Sequence, residues 1–138
     1  MKPRIFKIAV AAAFLLLEAA SVNAKTVRMF STSCTGPLTM VCDSIDYRAD
    51  LTRVYGRLTG RPHTSNRIDG IVLVSGGKTF VSTDIDGVDL KRWFQWEDEG
   101  AIPVEIDFAP MSPCREAVVK AAGPRGESQW KLRAINKK

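Results

Sequence analysis

Three aspartates at close spacing, Asp84, Asp86 and Asp89, form a candidate group of metal ligands. Carboxylates at this spacing suit a hard cation such as calcium, and the D-x-D-G order is that of half an EF-hand loop. With Gly87 at the invariant glycine, however, Ser82 takes the first ligand position and Trp93 stands where a bidentate Glu belongs. The calcium loop is incomplete, and a turn followed by a helix cap accounts for the same residues. A nucleophilic cysteine would need a histidine base. The one histidine, His63, lies in the polar run Arg61–Asn66, which reads as a loop, so a solvated side chain is expected there. A single histidine also counts against a zinc site of ordinary type. No catalytic residue is assigned and no cofactor is implied.

Aromatic and basic side chains offer a binding surface instead. Tyr55 and Arg57 project from a strand on the side opposite Val54 and Leu58, and Lys131 and Arg133 alternate with Trp130 and Leu132 near the C-terminus. Trp96 points away from the face shared by Leu90, Trp93 and Phe94, beside the acidic run Glu97–Glu99. An aromatic flanked by cations on a β-surface is how small barrels hold single strands or sugars. Tyr55, Arg57, Trp96, Lys131 and Arg133 are therefore the candidate ligand-binding residues, with an ordinary solvated face as the competing account.

These residues need strands to position them, and turn signals recur at short spacing. Residues 51–60 fit either a helical face or an alternating strand, but Gly56 costs a helix about 1 kcal/mol and suits a bent strand. Residues 71–74 and 79–82 are β-rich runs around Gly76-Gly77, a hairpin turn. From Val88 the period changes: Leu90, Trp93 and Phe94 stand at i, i+3 and i+4, and Gly100 closes a short amphipathic helix. Residues 102–108 alternate again, 110–113 form a loop, and 116–122 with 129–135 make a last hairpin around residues 123–126. Three strands, a helix and two more strands is the order of a small OB-like barrel, mainly β with one short helix. The alternative is an open antiparallel sheet with one packed helix.

Residues 1–24 read as a secretory signal peptide. Lys2, Arg4 and Lys7 precede an apolar run from Ile8 to Leu17, and Val22-Asn23-Ala24 offers a cleavage site. The apolar run is short for a bilayer-spanning helix, which takes about 20 residues, so the exported part is expected not to span a membrane. Cleavage would leave 17 basic and 14 acidic residues, lowering the net charge from +5 to +3 and weakening a nucleic-acid reading based on charge alone. The organisation expected is a leader (1–24), an N-terminal extension with cysteines (25–50) and one OB-like β domain (51–138). An oxidising compartment, periplasmic or extracellular, permits one disulfide among Cys34, Cys42 and Cys114. Gly36-Pro37 between the first two favours a small ring of Cys34 with Cys42; pairing Cys42 with Cys114 is the alternative.

The segment Ile68 to Asp89 (IDGIVLVSGGKTFVSTDIDGVD) resembles the signature region of secreted thermonucleases of the staphylococcal nuclease type. In that family V-x-D-G-D-T leads through a hairpin to R-L-x-G-I-D-A-P-E. Asp69-Gly70, Ile85-Asp86 and Asp89 fall on its D-G, I-D and final acidic positions. The resemblance implies an OB barrel, while Ile71 replaces a calcium-binding carboxylate and Val81 the arginine that holds the phosphate. It therefore implies a non-catalytic relative, since neither side chain can bind a cation or stabilise transition-state charge.

The function expected is thus a small exported binding protein whose partner is an oligosaccharide, a single-stranded nucleic acid or a protein. The alternatives are a calcium-dependent nuclease of the thermonuclease type, with calcium as its cofactor, and a periplasmic inhibitor or immunity protein that binds a partner enzyme.

Overall fold

The computed structural model describes residues 25–27 and 29–135, so the expected leader and its cleavage site lie outside the described residues. Strands run in the order β1 (Lys25–Val27), β2 (Phe30–Thr35), β3 (Thr39–Tyr47), β4 (Thr52–Thr59), β5 (Ser65–Arg67), β6 (Gly70–Ser75), β7 (Lys78–Val81), β8 (Asp84–Asp86), β9 (Trp93–Gln95), β10 (Ala101–Phe108), β11 (Glu116–Gly123) and β12 (Gly126–Ala134). The protein is mainly β, and among the described residues there is no helix.

Two five-stranded sheets carry the fold, one ordered β1-β3-β4-β10-β8 and the other β2-β12-β11-β6-β7, with β5 and β9 as a separate two-stranded ribbon. All the pairings are antiparallel. Strict alternation decides which face is covered. Val54 and Leu58 on β4, Val104 and Ile106 on β10, Ile71 and Leu73 on β6, Val119 on β11 and Trp130 and Leu132 on β12 all enter one core. Each such side chain contributes about 1.5–3 kcal/mol on burial, and a one-residue slip would turn it to solvent.

The sheets are open and do not close into a barrel. Closure would need an edge of one sheet to pair with an edge of the other, whereas β2 pairs with β12 and β3 with β4 and β1. The chain passes between sheets through Gly36-Pro37-Leu38. Gly36 has φ +100, and a Cβ there would lie 2.6 Å from Ser128 Cα. Ser128 Oγ accepts the Leu38 N–H at 2.9 Å, and Trp130 Nε1–H donates to Leu38 O at 2.9 Å. Within the stretch 25–50 expected as an extension, β1 and β3 join one sheet and β2 the other.

The strand expected over 51–60 forms as β4, and the hairpins around Gly76-Gly77 and residues 123–126 form as β6–β7 and β11–β12. Gly56 lies where β3 and β4 approach closely: a Cβ there would stand 2.5 Å from Met40 Sδ and 2.7 Å from Val41 O, beside the register shift between Cys42 and Ser44. The helix expected from Val88 to Gly100 does not form. Lys91 adopts φ 65, its N–H donates to Ile68 O, and residues 93–95 pair with 65–67 as a strand. Phe94 and Trp96 pack edge to face with centroids 5.4 Å apart, on the inward side of a period of two. An isolated helix this short is marginal, and the cross-strand contacts decide its conformation.

Candidate functional site

The ribbon of β5 and β9 covers one end of the two sheets, and its register sorts the side chains. Trp93 stands opposite Arg67, Phe94 opposite Asn66 and Gln95 opposite Ser65. Directly paired residues share a face, so Phe94 and Asn66 turn inward while Trp93 and Arg67 face solvent. Trp93 is 54% exposed, against 3% for Trp96 and 0% for Trp130. The Arg67 guanidinium carbon lies 5.4 Å from the Trp93 ring centroid. Arg125, from the turn between β11 and β12, places its own at 5.5 Å, within cation–π range. Arg125 is tethered by donating Nη1–H to Ser65 O at 2.5 Å. Arg67 grips Asp69 through Nε at 2.8 Å and Nη2 at 3.1 Å, which holds the Asp69 carboxyl below its ordinary range.

Beside this platform is a cleft of about 280 Å³ lined by Arg61, Thr64, Ser65, Asn66, Trp96 and Arg125. Trp96 forms its floor. Its Nε1–H donates to Leu58 O at 3.0 Å, and its ring lies flat against Gly60, where a Cβ would stand 2.6 Å from Cδ2. The loop above is ordered by Thr64 Oγ1–H donating to Arg61 O at 2.7 Å and His63 N–H donating to Trp96 O at 2.7 Å. His63 Nε2 meets Asp98 Oδ1 at 2.9 Å on the exposed surface, so the histidine is solvated as expected.

The residues singled out in the sequence do not assemble into one site. Tyr55 and Arg57 lie on the outer face of the β4 sheet. Arg57 is engaged by Asp43 at 2.8 Å, and Tyr55 Oη accepts from Arg48 Nη2 at 3.5 Å. The adjacent Arg53 forms a two-pronged pair with Asp107 at 2.7 and 3.0 Å, which lifts the guanidinium further above its already high range. Lys131 and Arg133 lie on the outer face of the other sheet, and Arg133 pairs with Glu116 at 2.9 Å. Trp96 is a correction: it is buried, because the β9 segment alternates with a period of two instead of following a helical wheel. Trp93 takes the exposed place, and the same strand reading would have found it. Nothing in the linear order of residues brings Arg67 and Arg125 to one ring.

Asp84 and Asp86 are exposed on β8, opposite Asp107 and Glu105 of β10, and Asp89 is exposed beyond Gly87. Among the described residues no group of three His, Cys, Asp or Glu side chains is arranged to hold a metal ion. Ile71 is buried in the core and Val81 is 66% exposed on edge strand β7.

Cys34, Cys42 and Cys114 are unbridged in the structure, so the expected ring of Cys34 with Cys42 is not closed there. The alignment of β2 beside β3 gives the reason. Cys34 Sγ meets Met40 O at 3.2 Å and Cys42 N–H donates to Thr32 Oγ1 at 2.9 Å, so the two cysteines are offset by two residues. Burial, then the nearby Asp43 charge, pushes the Cys42 thiol up to about 12. Cys114 N–H donates to Tyr47 Oη at 3.3 Å; burial, followed by the contact with Cys114, raises the Tyr47 phenol.

No protein-family profile, curated protein or solved structure matches this chain.

Proposed function

We propose that this chain is an exported, non-catalytic binding protein whose ligand docks on the end of the fold capped by β5 and β9. The observation that carries the reading is Trp93, which is 54% exposed with two guanidiniums within 5.5 Å of its ring centroid, while the other two tryptophans are buried. A large aromatic held at the surface by cations provides contact area at low entropic cost and a ready stacking partner. Its ligand is an oligosaccharide, a single-stranded nucleic acid or a partner protein, met in the periplasm or outside the cell as the basic-then-apolar start of the sequence implies. Kinship with thermonucleases fits the same role. Asp69 is engaged by Arg67, and at the positions of that family's carboxylate and phosphate-holding arginine stand a core isoleucine and an exposed valine.

The test is a titration of the purified protein with a single-stranded oligonucleotide, an acidic oligosaccharide and a neutral oligosaccharide, together with affinity capture of proteins from the periplasm. Trp93→Ala should weaken whichever interaction is found by tenfold or more, since stacking on one aromatic contributes about 1–3 kcal/mol. Undiminished binding by Trp93→Ala would place the ligand elsewhere, and calcium-dependent cleavage of the oligonucleotide would establish the nuclease alternative.

A further inference from the structure

We infer that the cleft between Arg61 and Arg125 is an oxyanion site that receives a phosphate or sulfate ester group of the ligand. The inference deepens the binding role proposed above and rests on it. Arg61 and Arg125 both line the cleft, and neither has a carboxylate partner among the described residues. Arg48, Arg53, Arg57, Arg67 and Arg133 are each engaged in an ion pair, and the other described arginines without one, Arg92 and Arg115, do not line this cleft. Two guanidiniums bordering one concavity repel each other unless an anion lies between them, and their forked N–H donors match a tetrahedral oxyanion. The acidic run Glu97–Glu99 follows the cleft floor in sequence, but none of its carboxylates lines the cleft.

Asn66 supplies an independent observation. It is 5% exposed and lines the same cleft. Its Oδ1 accepts the Arg67 N–H at 2.8 Å, while its Nδ2 has no protein partner among the described residues. That Nδ2 remains open to solvent, since Thr52 Oγ1 is the buried unpartnered side-chain polar atom among the described residues, and an anion oxygen entering the cleft would replace water there. The Ser65 hydroxyl, also without a protein partner among the described residues, is a further donor on the wall. Arg125 links the cleft to the platform, since it borders one and lies over the ring of the other. A ligand with a flat or ring-bearing part beside its ester group therefore meets Trp93 and the oxyanion site together.

The test follows the side-chain N–H signals of Asn66, Arg61 and Arg125 by NMR during titration with inorganic phosphate at constant ionic strength. Methyl phosphate and methyl sulfate follow as separate arms. Saturable shifts at these groups are expected, and the tighter-binding ester identifies the class of anion. Arg61→Gln and Arg125→Gln should each weaken phosphate about tenfold, the loss of one charge-assisted contact, while Lys131→Gln, on the outer face of the β12 sheet and outside the cleft lining, should leave it within about twofold. Asn66→Asp keeps the Oδ1 acceptor and adds repulsion, so it should abolish binding; the two exposed arginine variants carry the test if that variant fails to fold. The absence of a saturable shift with phosphate and both esters, an equal response to chloride, or undiminished affinity in the double arginine variant would overturn the inference. Retained phosphate binding by Trp93→Ala with unchanged capture of the larger ligand would instead overturn only the Trp93 reading.

Discussion

Gly60 lies where a single added carbon has a calculable effect. A Cβ at this position would meet Trp96 Cδ2, Cε2 and Cε3 at 2.6, 2.7 and 2.7 Å, whereas carbon atoms pack comfortably at about 3.5–4.0 Å. The ring would have to retreat by about 1 Å. It cannot do so freely, because Nε1–H is bonded to Leu58 O at 3.0 Å and the backbone N–H of Trp96 to Thr64 O at 3.0 Å. Overpacking costs about 1–3 kcal/mol, and losing a buried hydrogen bond about 1 kcal/mol more. Gly60→Ala is therefore expected to lower stability by about 2–4 kcal/mol, which for a domain of this size corresponds to a Tm about 10–20 °C lower. Urea unfolding followed by far-UV circular dichroism measures it. The same substitution in a Trp96→Leu background should cost less than about 1 kcal/mol, because the obstacle has been removed. A Gly60→Ala protein within about 0.5 kcal/mol of the parent, or full additivity in the double variant, would refute the steric argument.

Other expectations are equally direct. Thr52 is fully buried, and its Oγ1 has no hydrogen-bond partner; Thr52→Val should stabilise by about 1 kcal/mol in urea unfolding, and a loss of stability would show that the hydroxyl has a role. Trp130→Phe keeps the aromatic ring but leaves Leu38 O without its donor; a cost of about 1–3 kcal/mol is expected, and a value near zero would count against the crossover clasp. Cys42 has a folded-state pKa of about 12, above the ordinary thiol value of 9.0. The folded state holds this proton more tightly, so its contribution is fully present below pH 9 and is lost as pH rises from 9 toward 12. Urea midpoints should fall across that range more steeply for the parent than for Cys42→Val, and identical alkaline limbs would contradict the assignment.

Much of the sheet structure was legible because alternation and turn chemistry agree with the final packing. Val54 and Leu58 announce the inner side of β4, and Gly76-Gly77 with positive φ at both residues marks the β6–β7 turn. The exception is residues 88–100. Leu90, Trp93 and Phe94 satisfy a helical spacing, but Phe94 and Trp96 satisfy the alternating one, and contacts with β5 decide between them. The candidate site was illegible for the same reason. Its members come from β5, the loop before it, β9 and the β11–β12 turn, so it exists only once distant segments meet. The paired outer faces misled in a different way: Tyr55 with Arg57 and Lys131 with Arg133 are cation-bearing strand faces, but lie on opposite sides of the molecule, and both Arg57 and Arg133 are held by carboxylates.

The clasp around Gly36-Pro37-Leu38 also governs when the molecule can become itself. Leu38 is held by Ser128 and Trp130, 90 and 92 residues further along the chain. Strand β2 has β12 as its sole sheet neighbour, so one edge of the second sheet has no template until the last strand exists. Such long-range pairing must meet its loop-closure entropy before the contacts compensate, and folding is accordingly slow and late. A chain whose β12 has not yet left the ribosome or the translocation channel cannot complete this fold. On the export reading, that delay keeps the polypeptide threadable through a translocation channel and postpones the meeting of β2 with β12 until both have emerged on the far side.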